Sequence, residues 1–222
     1  MSYRTALDND LRTLHVQIIK MGTLIEKSID ETIQALTSRD VTLAQQVIDG
    51  DDRFDDMQIQ IESNCVSVIA RQQPVASDLR KITSILKIVT DLERIADHCA
   101  DISKLTLHLA TEEYIKPLID IPKMAKQVKE MLKLTIDCYI DLDIEKGKRI
   151  CKEDDIVDDF YRTILEELQM IMKERPETVK QCIDFLLIAK YLERMADHIT
   201  NVAEWVIYSV EGNRYDSHTH SK

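Results

Sequence analysis

The sequence is poor in the residues that build turns, strands and aromatic cores. Its 222 residues include four glycines, four prolines and one tryptophan, and aromatic residues make up 5% of the chain. The commonest residues are leucine, isoleucine, alanine, lysine and the two acids, which favour helices over strands. The composition therefore predicts an all-α protein.

Three further shortages limit where the protein works and what it binds. No apolar run approaches the roughly 20 residues of a membrane-spanning helix, and the polar start "MSYRTALDNDLRTLH" lacks the apolar core of a secretory signal. The five cysteines are scattered and odd in number, which suits buried thiols better than a disulfide framework or a zinc site. Basic residues number 29 against 40 acidic ones, so the net charge of −11 repels nucleic acid. We expect a cytoplasmic protein.

Prolines and short polar breaks divide the chain into six helical segments. We expect helices at 5–37, 40–71, 75–112, 118–141, 143–174 and 177–211, separated chiefly by Pro74, Pro117, Pro122 and Pro176. Most of these segments exceed the average length of a globular helix, and short turns join them as in antiparallel bundles.

The six segments are three segments written twice. "DLERIADH" at 91–98 returns as "YLERMADH" at 191–198, and "DGDDRFDD" at 49–56 resembles "KEDDIVDD" at 152–159. Similarity at a spacing of about one hundred residues indicates a duplicated three-helix unit. We expect one repeat in residues 1–114, a second in 115–212 and a flexible polar tail in 213–222.

The repeated phrases place carboxylates on chosen faces of their helices. Residues four apart lie on one helical face, about 6 Å apart along the axis, and like charges so placed repel. Helical phase puts Glu93 within the apolar arc of its helix and Asp97 at the edge of that arc. A glutamate directed at a core must be paired, protonated or coordinated.

The same phase relation holds for the two aspartate runs. Asp51 and Asp55 lie on the flank of their apolar arc, whereas Asp52 and Asp56 point to solvent, and the second run repeats this register. If the two helices of a repeat pack side by side, four or more carboxylates converge. The candidate metal ligands are Asp51, Asp55, Glu93, Asp97 and Asp101 in the first repeat, and Asp154, Asp158, Glu193, Asp197 and Asn201 in the second.

Oxygen ligands of this kind suit hard or borderline cations, and carboxylates often bridge metal pairs. We therefore expect divalent or trivalent ions, with iron, manganese, magnesium, zinc and calcium as candidates. The alternative is that the acids form solvated faces or ion pairs with neighbours such as Arg94 and Lys190. The histidines that follow the acids, His98 and His198, turn away from the acidic faces, and no Ser/His/Asp set or phosphate loop suggests catalysis.

Together, "RQQPVASDLRKI" at 71–82, the two aspartate runs, "DLERIADH" and "YLERMADHITNVAEW" at 191–205 closely resemble the PhoU family. The motifs occur in order and in duplicate, and the resemblance covers about residues 5–211. It implies two similar three-helix bundles in a chain that is usually dimeric. It also implies a negative regulator of the phosphate-starvation response that connects the phosphate transporter's ATPase subunit to a membrane sensor histidine kinase.

The resemblance further implies a use for the acids. Some members of the family carry multinuclear metal clusters on paired E(D)xxxD motifs, which match Asp51/Asp55 with Glu93/Asp97 and Asp154/Asp158 with Glu193/Asp197. Asn201 departs from this pattern by replacing an acid. Two other interpretations stay open from the residues alone: a metal-dependent phosphate-ester hydrolase at the same carboxylates, and a purely structural helical scaffold.

Overall fold

A computed structural model of the protein describes residues 3–213 and residue 215, and within them all regular structure is helical. The α-helices are α1 (Tyr3–Ser38), α2 (Val41–Asp49), α3 (Asp52–Gln72), α4 (Ala76–Leu109), α5 (Asp120–Asp141), α6 (Ile144–Glu174) and α7 (Val179–Glu211), and a 3-10 turn (Pro176–Thr178) precedes α7. The all-α prediction is confirmed. The expected tail at 213–222 lies largely outside the described residues.

The helices form two similar bundles that share one core. The first bundle contains α1, the consecutive pair α2 and α3, and α4, while the second contains α5, α6 and α7. Helix α4 makes its most extensive contact with α7, and α1 also packs on α5, so the two bundles meet along a long seam. The expected duplication of a three-helix unit is confirmed, and residues of the two repeated phrases, such as His98 and Tyr191, are in contact across this seam.

The prediction of one long helix at 40–71 is wrong in one respect, because the structure divides this segment at Gly50 and Asp51 into α2 and α3. A glycine inside a helix costs about 1 kcal/mol relative to alanine, so this position resists a break less than others do. The Asp51 N–H bonds to the Ile48 carbonyl at 3.2 Å, and the Asp51 carbonyl accepts the Phe54 N–H at 2.8 Å. The second repeat has Glu153 in place of the glycine, and α6 continues without interruption.

An aspartate cap fixes where each acid-bearing segment begins. The Asp40 carboxylate accepts the N–H groups of Thr42 and Leu43 at 3.0 and 2.9 Å, and Asp143 accepts that of Lys146 at 3.0 Å. Such caps satisfy amides that have no partner within the helix. Because Asp51 and Asp154 each follow their cap by the same number of residues, the acids enter both bundles at equivalent heights.

The connection between the bundles, residues 110–119, contains the predicted repeat boundary and is tied to both sides. The Tyr114 hydroxyl donates to the Leu36 carbonyl at 2.6 Å in the first bundle. The Ile115 N–H donates to the Gln181 side-chain oxygen at 2.6 Å in the second, and the Gln181 amide donates back to the Glu113 carbonyl at 3.1 Å. The connection therefore restrains the two bundles.

Burial of the thiols agrees with the expectation from sequence, because all five cysteines are buried and unpaired. Desolvation raises the pKa of Cys65, Cys99 and Cys151 to about 12, so these thiols stay protonated at neutral pH. Within the described residues, no helix combines the length and apolar character needed to span a membrane.

Gly22 allows α1 to approach α5 closely, and a side chain there would disturb the seam. A Cβ at this position would lie 2.5 Å from Cδ1 of Ile136. We expect Gly22→Ala to lower the free energy of unfolding by about 1 kcal/mol, because overpacking outweighs the better helix propensity of alanine. Denaturant titration checks this. Ile136→Ala removes both Cδ1 and Cγ1, which would lie 2.5 and 2.7 Å from the added Cβ, so Gly22→Ala should cost less in that background than in the wild type, and equal costs would contradict the steric explanation.

Candidate metal centres

The first acidic cluster (Asp51, Asp55, Glu93, Asp97 and Asp101) forms where α3 packs against α4. Asp55, Glu93 and Asp97 each offer one carboxylate oxygen, and these three oxygens lie within 4.8 Å of one another. Glu93 is 8% exposed, as its helical phase predicted, whereas Asp55 lies at the exposed rim. The sequence thus identified residues from separate helices that the fold brings together.

Crowding and burial make these carboxylates resist ionisation. Burial raises the pKa of Glu93 to about 7, and the charges of Asp97, Asp55 and Asp51 add to this effect while Arg94 opposes it. Burial likewise raises the pKa of Asp51 to about 6, with contributions from Asp97 and Asp55. A cation placed among them would favour the ionised forms and remove their mutual repulsion.

Arg94 supplies partial compensation in the first acidic cluster. Its Nη1 lies 2.9 Å from Oδ2 of Asp97, and its Nε lies 3.5 Å from Oε2 of Glu93. Asp101, one turn further along α4, is paired instead with Lys104 at 3.1 Å. The Arg94 side chain is 54% exposed, so it can leave for solvent when a metal ion takes its place.

The second acidic cluster (Asp154, Asp158, Glu193, Asp197 and Asn201) lies between α6 and α7. Burial raises the pKa of Asp154 to about 7, and the charges of Asp197, Asp158 and Glu193 add to this increase. Oδ1 of Asp154 is buried and has no hydrogen-bond partner within the described part of the chain. A buried carboxylate oxygen without a partner is costly, and a metal ion at this position would satisfy it.

Lys190 and Asp91 make the second acidic cluster differ from the first. The Lys190 ammonium donates to both carboxylate oxygens of Glu193, at 2.5 and 2.6 Å. The Asn201 amide donates to Asp91 of the first bundle at 3.3 Å, although Asn201 also lines an open pocket with Asp154, Asp197 and Thr200. Sequence reasoning placed Asn201 among the ligands and missed its contact across the seam, because only the packing of α4 on α7 brings Asp91 near.

His98 and His198 point away from the acidic faces, as their helical phase predicted, and lie on the seam between the bundles. The His98 ring stacks on Tyr191 with centroids 5.2 Å apart, and Nδ1 of His198 lies 2.9 Å from Oδ1 of Asp91. Asp91 and Tyr191 are the first residues of the two repeated phrases, so equivalent positions pair with equivalent histidines from opposite bundles. Neither ring nitrogen of His98 has a hydrogen-bond partner within residues 3–213.

The donor sets fit hard or borderline cations. Each cluster offers carboxylates from two packed helices, and the first brings three of their oxygens close enough for one ion. The second provides no equivalent group of three at that spacing among the described residues, and its Glu193 is paired with Lys190. Hard and borderline ions accept all-oxygen coordination of this kind, which is consistent with metal binding without selecting the element.

The fold and the two clusters define a class: duplicated three-helix bundles in which acidic motifs on two packed helices of each bundle come together. The model of the PhoU domain matches the chain twice, at residues 18–106 and 121–206. The phosphate-specific transport system accessory protein PhoU homolog of Clostridium acetobutylicum is 42% identical over 214 residues, which cover 96% of this chain and 98% of that protein. The PhoU accessory protein of Escherichia coli K12 is 31% identical and covers 93% of this chain.

Solved structures agree with these matches. The crystal structure of PhoU from Pseudomonas aeruginosa is similar with a TM-score of 0.89 at 34% identity, covering 93% of this chain and 99% of that one. The phosphate transport system regulatory protein PhoU from Streptococcus pneumoniae gives a TM-score of 0.89 at 29% identity. The chain belongs to the PhoU family.

Proposed function

We propose that the protein is an accessory protein of a phosphate transport system that restrains phosphate uptake and the phosphate-starvation response. The observation that carries this proposal is similarity over nearly the whole chain to relatives named as accessory proteins of such systems. One similar solved protein is described as a phosphate transport system regulatory protein. Because both repeats match, the similarity covers the complete two-bundle architecture.

In this proposal the protein is an adaptor on the cytoplasmic side. It contacts the ATPase subunit of the transporter and a sensor histidine kinase, and it works as a homodimer. Five buried free thiols suit a reducing compartment, and the two bundles offer related surfaces for two partners. The acidic surface, with a net charge of −11, favours protein partners over nucleic acid.

The acidic clusters act in this proposal as metal-dependent clamps. The carboxylates of each cluster come from two packed helices, so an ion bound by them would hold α3 against α4, or α6 against α7. Without metal, repulsion among carboxylates such as Glu93 and Asp97 loosens the same contacts. Metal occupancy thereby sets the shape of the surface that the partners recognise.

The alternative function is metal-dependent hydrolysis of phosphate esters at the clusters. Such an enzyme needs an open coordination position and a general base beside it. His98 and His198, the histidines nearest in sequence to the acids, face the seam between the bundles instead. We therefore propose a non-enzymatic role, and metal-dependent turnover of p-nitrophenyl phosphate by purified protein would contradict it.

Cross-linking in cells tests the adaptor proposal. In phosphate-rich cells, tagged protein should capture the transporter ATPase and the sensor kinase, and the Glu93→Gln/Asp97→Asn variant should capture several-fold less. The matched control is Asp52→Asn/Asp56→Asn, which removes the same charge from exposed positions near the cluster on α3. Equal capture by all three proteins would remove the clusters from the mechanism, and capture of neither partner by the wild type would overturn the adaptor proposal.

A further inference from the structure

A small cavity lies where the two bundles meet, away from both acidic clusters. Helices α1 and α4 of the first bundle and α5 and α7 of the second surround it, and its volume is about 60 Å³. A single buried water needs roughly 10–15 Å³, so the cavity holds about four to six atoms of that size. The lining residues include the apolar Ile85 and Ile88 and four residues with polar side chains: His15, Lys81, Ser84 and Tyr139.

The Ser84 hydroxyl is the clearest sign that this cavity has an occupant. Ser84 is 1% exposed, and its hydroxyl has no hydrogen-bond partner in the described part of the chain. Buried helical hydroxyls elsewhere, such as those of Thr106 and Thr135, donate to the carbonyl four residues earlier at 3.0 and 2.9 Å. Ser84 does not use this local partner, so its hydroxyl is available to a group inside the cavity that it lines.

His15 and Tyr139 together present a second donor. The Tyr139 hydroxyl lies 2.5 Å from Nδ1 of His15. Burial raises the pKa of Tyr139 far above its ordinary value, so the phenol keeps its proton, and we assign it as the donor to Nδ1. Burial, followed by the charge of Lys81, lowers the pKa of His15, so the ring is neutral at physiological pH. The hydrogen of a neutral ring that accepts at Nδ1 is carried at Nε2.

Lys81 adds a positive charge to these two donors. It precedes Ser84 by three residues on α4, which places both side chains on one face of the helix. Asp78, which does not line the cavity, lies 3.8 Å from the Lys81 ammonium and offsets part of its charge. The polar residues that line this small cavity thus include a lysine, a histidine and the unpartnered hydroxyl of Ser84.

We propose that this cavity binds a small oxyanion, and that inorganic phosphate is the ion whose size and charge suit it. A tetrahedral oxyanion has five non-hydrogen atoms and accepts several hydrogen bonds at once, whereas a cation would meet Lys81. Because the lining comes from both bundles, a bound ion joins them at their seam. The site does not depend on the acidic clusters or on the adaptor role.

Calorimetric titration with inorganic phosphate tests the proposal on the full-length protein. We expect saturable binding that Lys81→Met and Ser84→Ala each weaken, by roughly tenfold or more for Lys81→Met because it removes a charged hydrogen-bond donor. Lys87→Met is the matched control, since it removes an exposed lysine from the same helix and should bind as the wild type does. The Glu93→Gln/Asp97→Asn variant should also retain binding, which separates this site from phosphate held by metal in the first acidic cluster.

A second readout locates the ion. At a concentration near the wild-type dissociation constant, phosphate should shift the ring-nitrogen NMR signals of His15 in the wild type and shift them far less in Lys81→Met. Circular dichroism and the unfolding midpoint show that each variant is folded before it is titrated. Failure of millimolar phosphate to saturate the wild type, equal binding by Lys81→Met, or loss of binding only in the cluster variant would each overturn the proposal.

Discussion

Saturating Mn²⁺ should raise the unfolding midpoint of the metal-free protein by about 5–10 °C and should leave that of Glu93→Gln/Asp97→Asn nearly unchanged. The expected size follows from linkage, because a ligand present at about 100 times its dissociation constant stabilises the folded state by about 2.7 kcal/mol. The physical reason is the crowding of Asp55, Glu93 and Asp97, whose oxygens lie within 4.8 Å of one another. Differential scanning calorimetry after chelation and dialysis measures the midpoint.

The variant makes a second expectation possible in the absence of metal. Its neutral side chains no longer repel, so the metal-free variant should unfold at a higher temperature than the metal-free wild type. Asp52→Asn/Asp56→Asn controls for net charge, because both residues are exposed and project away from the cluster. Equal responses to Mn²⁺ in all three proteins, or no response of the wild type to any of the candidate metals, would contradict metal binding at this cluster.

The two clusters are related by duplication but are not equivalent. In the first, the partly exposed Arg94 compensates Asp97 and Glu93, and an entering ion can displace it. In the second, Lys190 donates two short hydrogen bonds to Glu193, and the buried oxygen without a hydrogen-bond partner belongs to Asp154. We therefore expect the first cluster to bind metal more readily, since the second must first release a bidentate ion pair.

Helical phase explains why so much of the candidate site could be predicted from the sequence. The repeated phrase places Glu93 towards the core, which predicts the face of α4 that carries the acids. The aspartate run predicts the matching face of α3 in the same way. These relations are local, because they depend only on the helical period. The burial of Glu93 and the exposure of Asp52 and Asp56 confirm them.

Features that depend on contact between the bundles could not be predicted in this way. The pairing of Asn201 with Asp91 and the stacking of His98 on Tyr191 require the crossing of α4 and α7, which no local pattern specifies. The cavity beside Ser84 likewise needs four helices from both bundles.

The break at Gly50 was missed because one glycine is tolerated within many helices, and tertiary packing decides whether the helix continues.

The buried carboxyl groups of the metal-free protein should contribute less to its stability as the pH rises from 5 towards 8. Three carboxyl groups contribute most to this effect: burial and neighbouring charge raise the pKa of Asp51 to about 6 and those of Glu93 and Asp154 to about 7. In the unfolded chain these groups ionise near pH 4, so between about pH 4 and 7 the folded state binds more protons. Stability contributed by a raised carboxyl pKa is present at the acidic end and falls as the pH increases. After allowance for solvent screening, each group accounts for on the order of 1 kcal/mol.

Two histidines change the stability with pH in the opposite direction. The effect of the carboxylates is therefore measured as the difference in stability between the wild type and a variant. Burial lowers the pKa of His15 and His98, which makes the folded state bind fewer protons as the pH falls through the histidine range. Both histidines are unchanged in an Asp51→Asn/Glu93→Gln/Asp154→Asn variant. The difference in unfolding free energy between that variant and the wild type should therefore isolate the carboxylates. In chelator, the unfolding free energy of the variant should rise relative to that of the wild type by on the order of 3 kcal/mol between pH 5 and 8. Mn²⁺ should reduce this relative increase, because a bound cation removes the repulsion among the ionised carboxylates of the wild type. A difference that stays constant with pH would show that the three groups ionise normally in the fold and have no need of a cation.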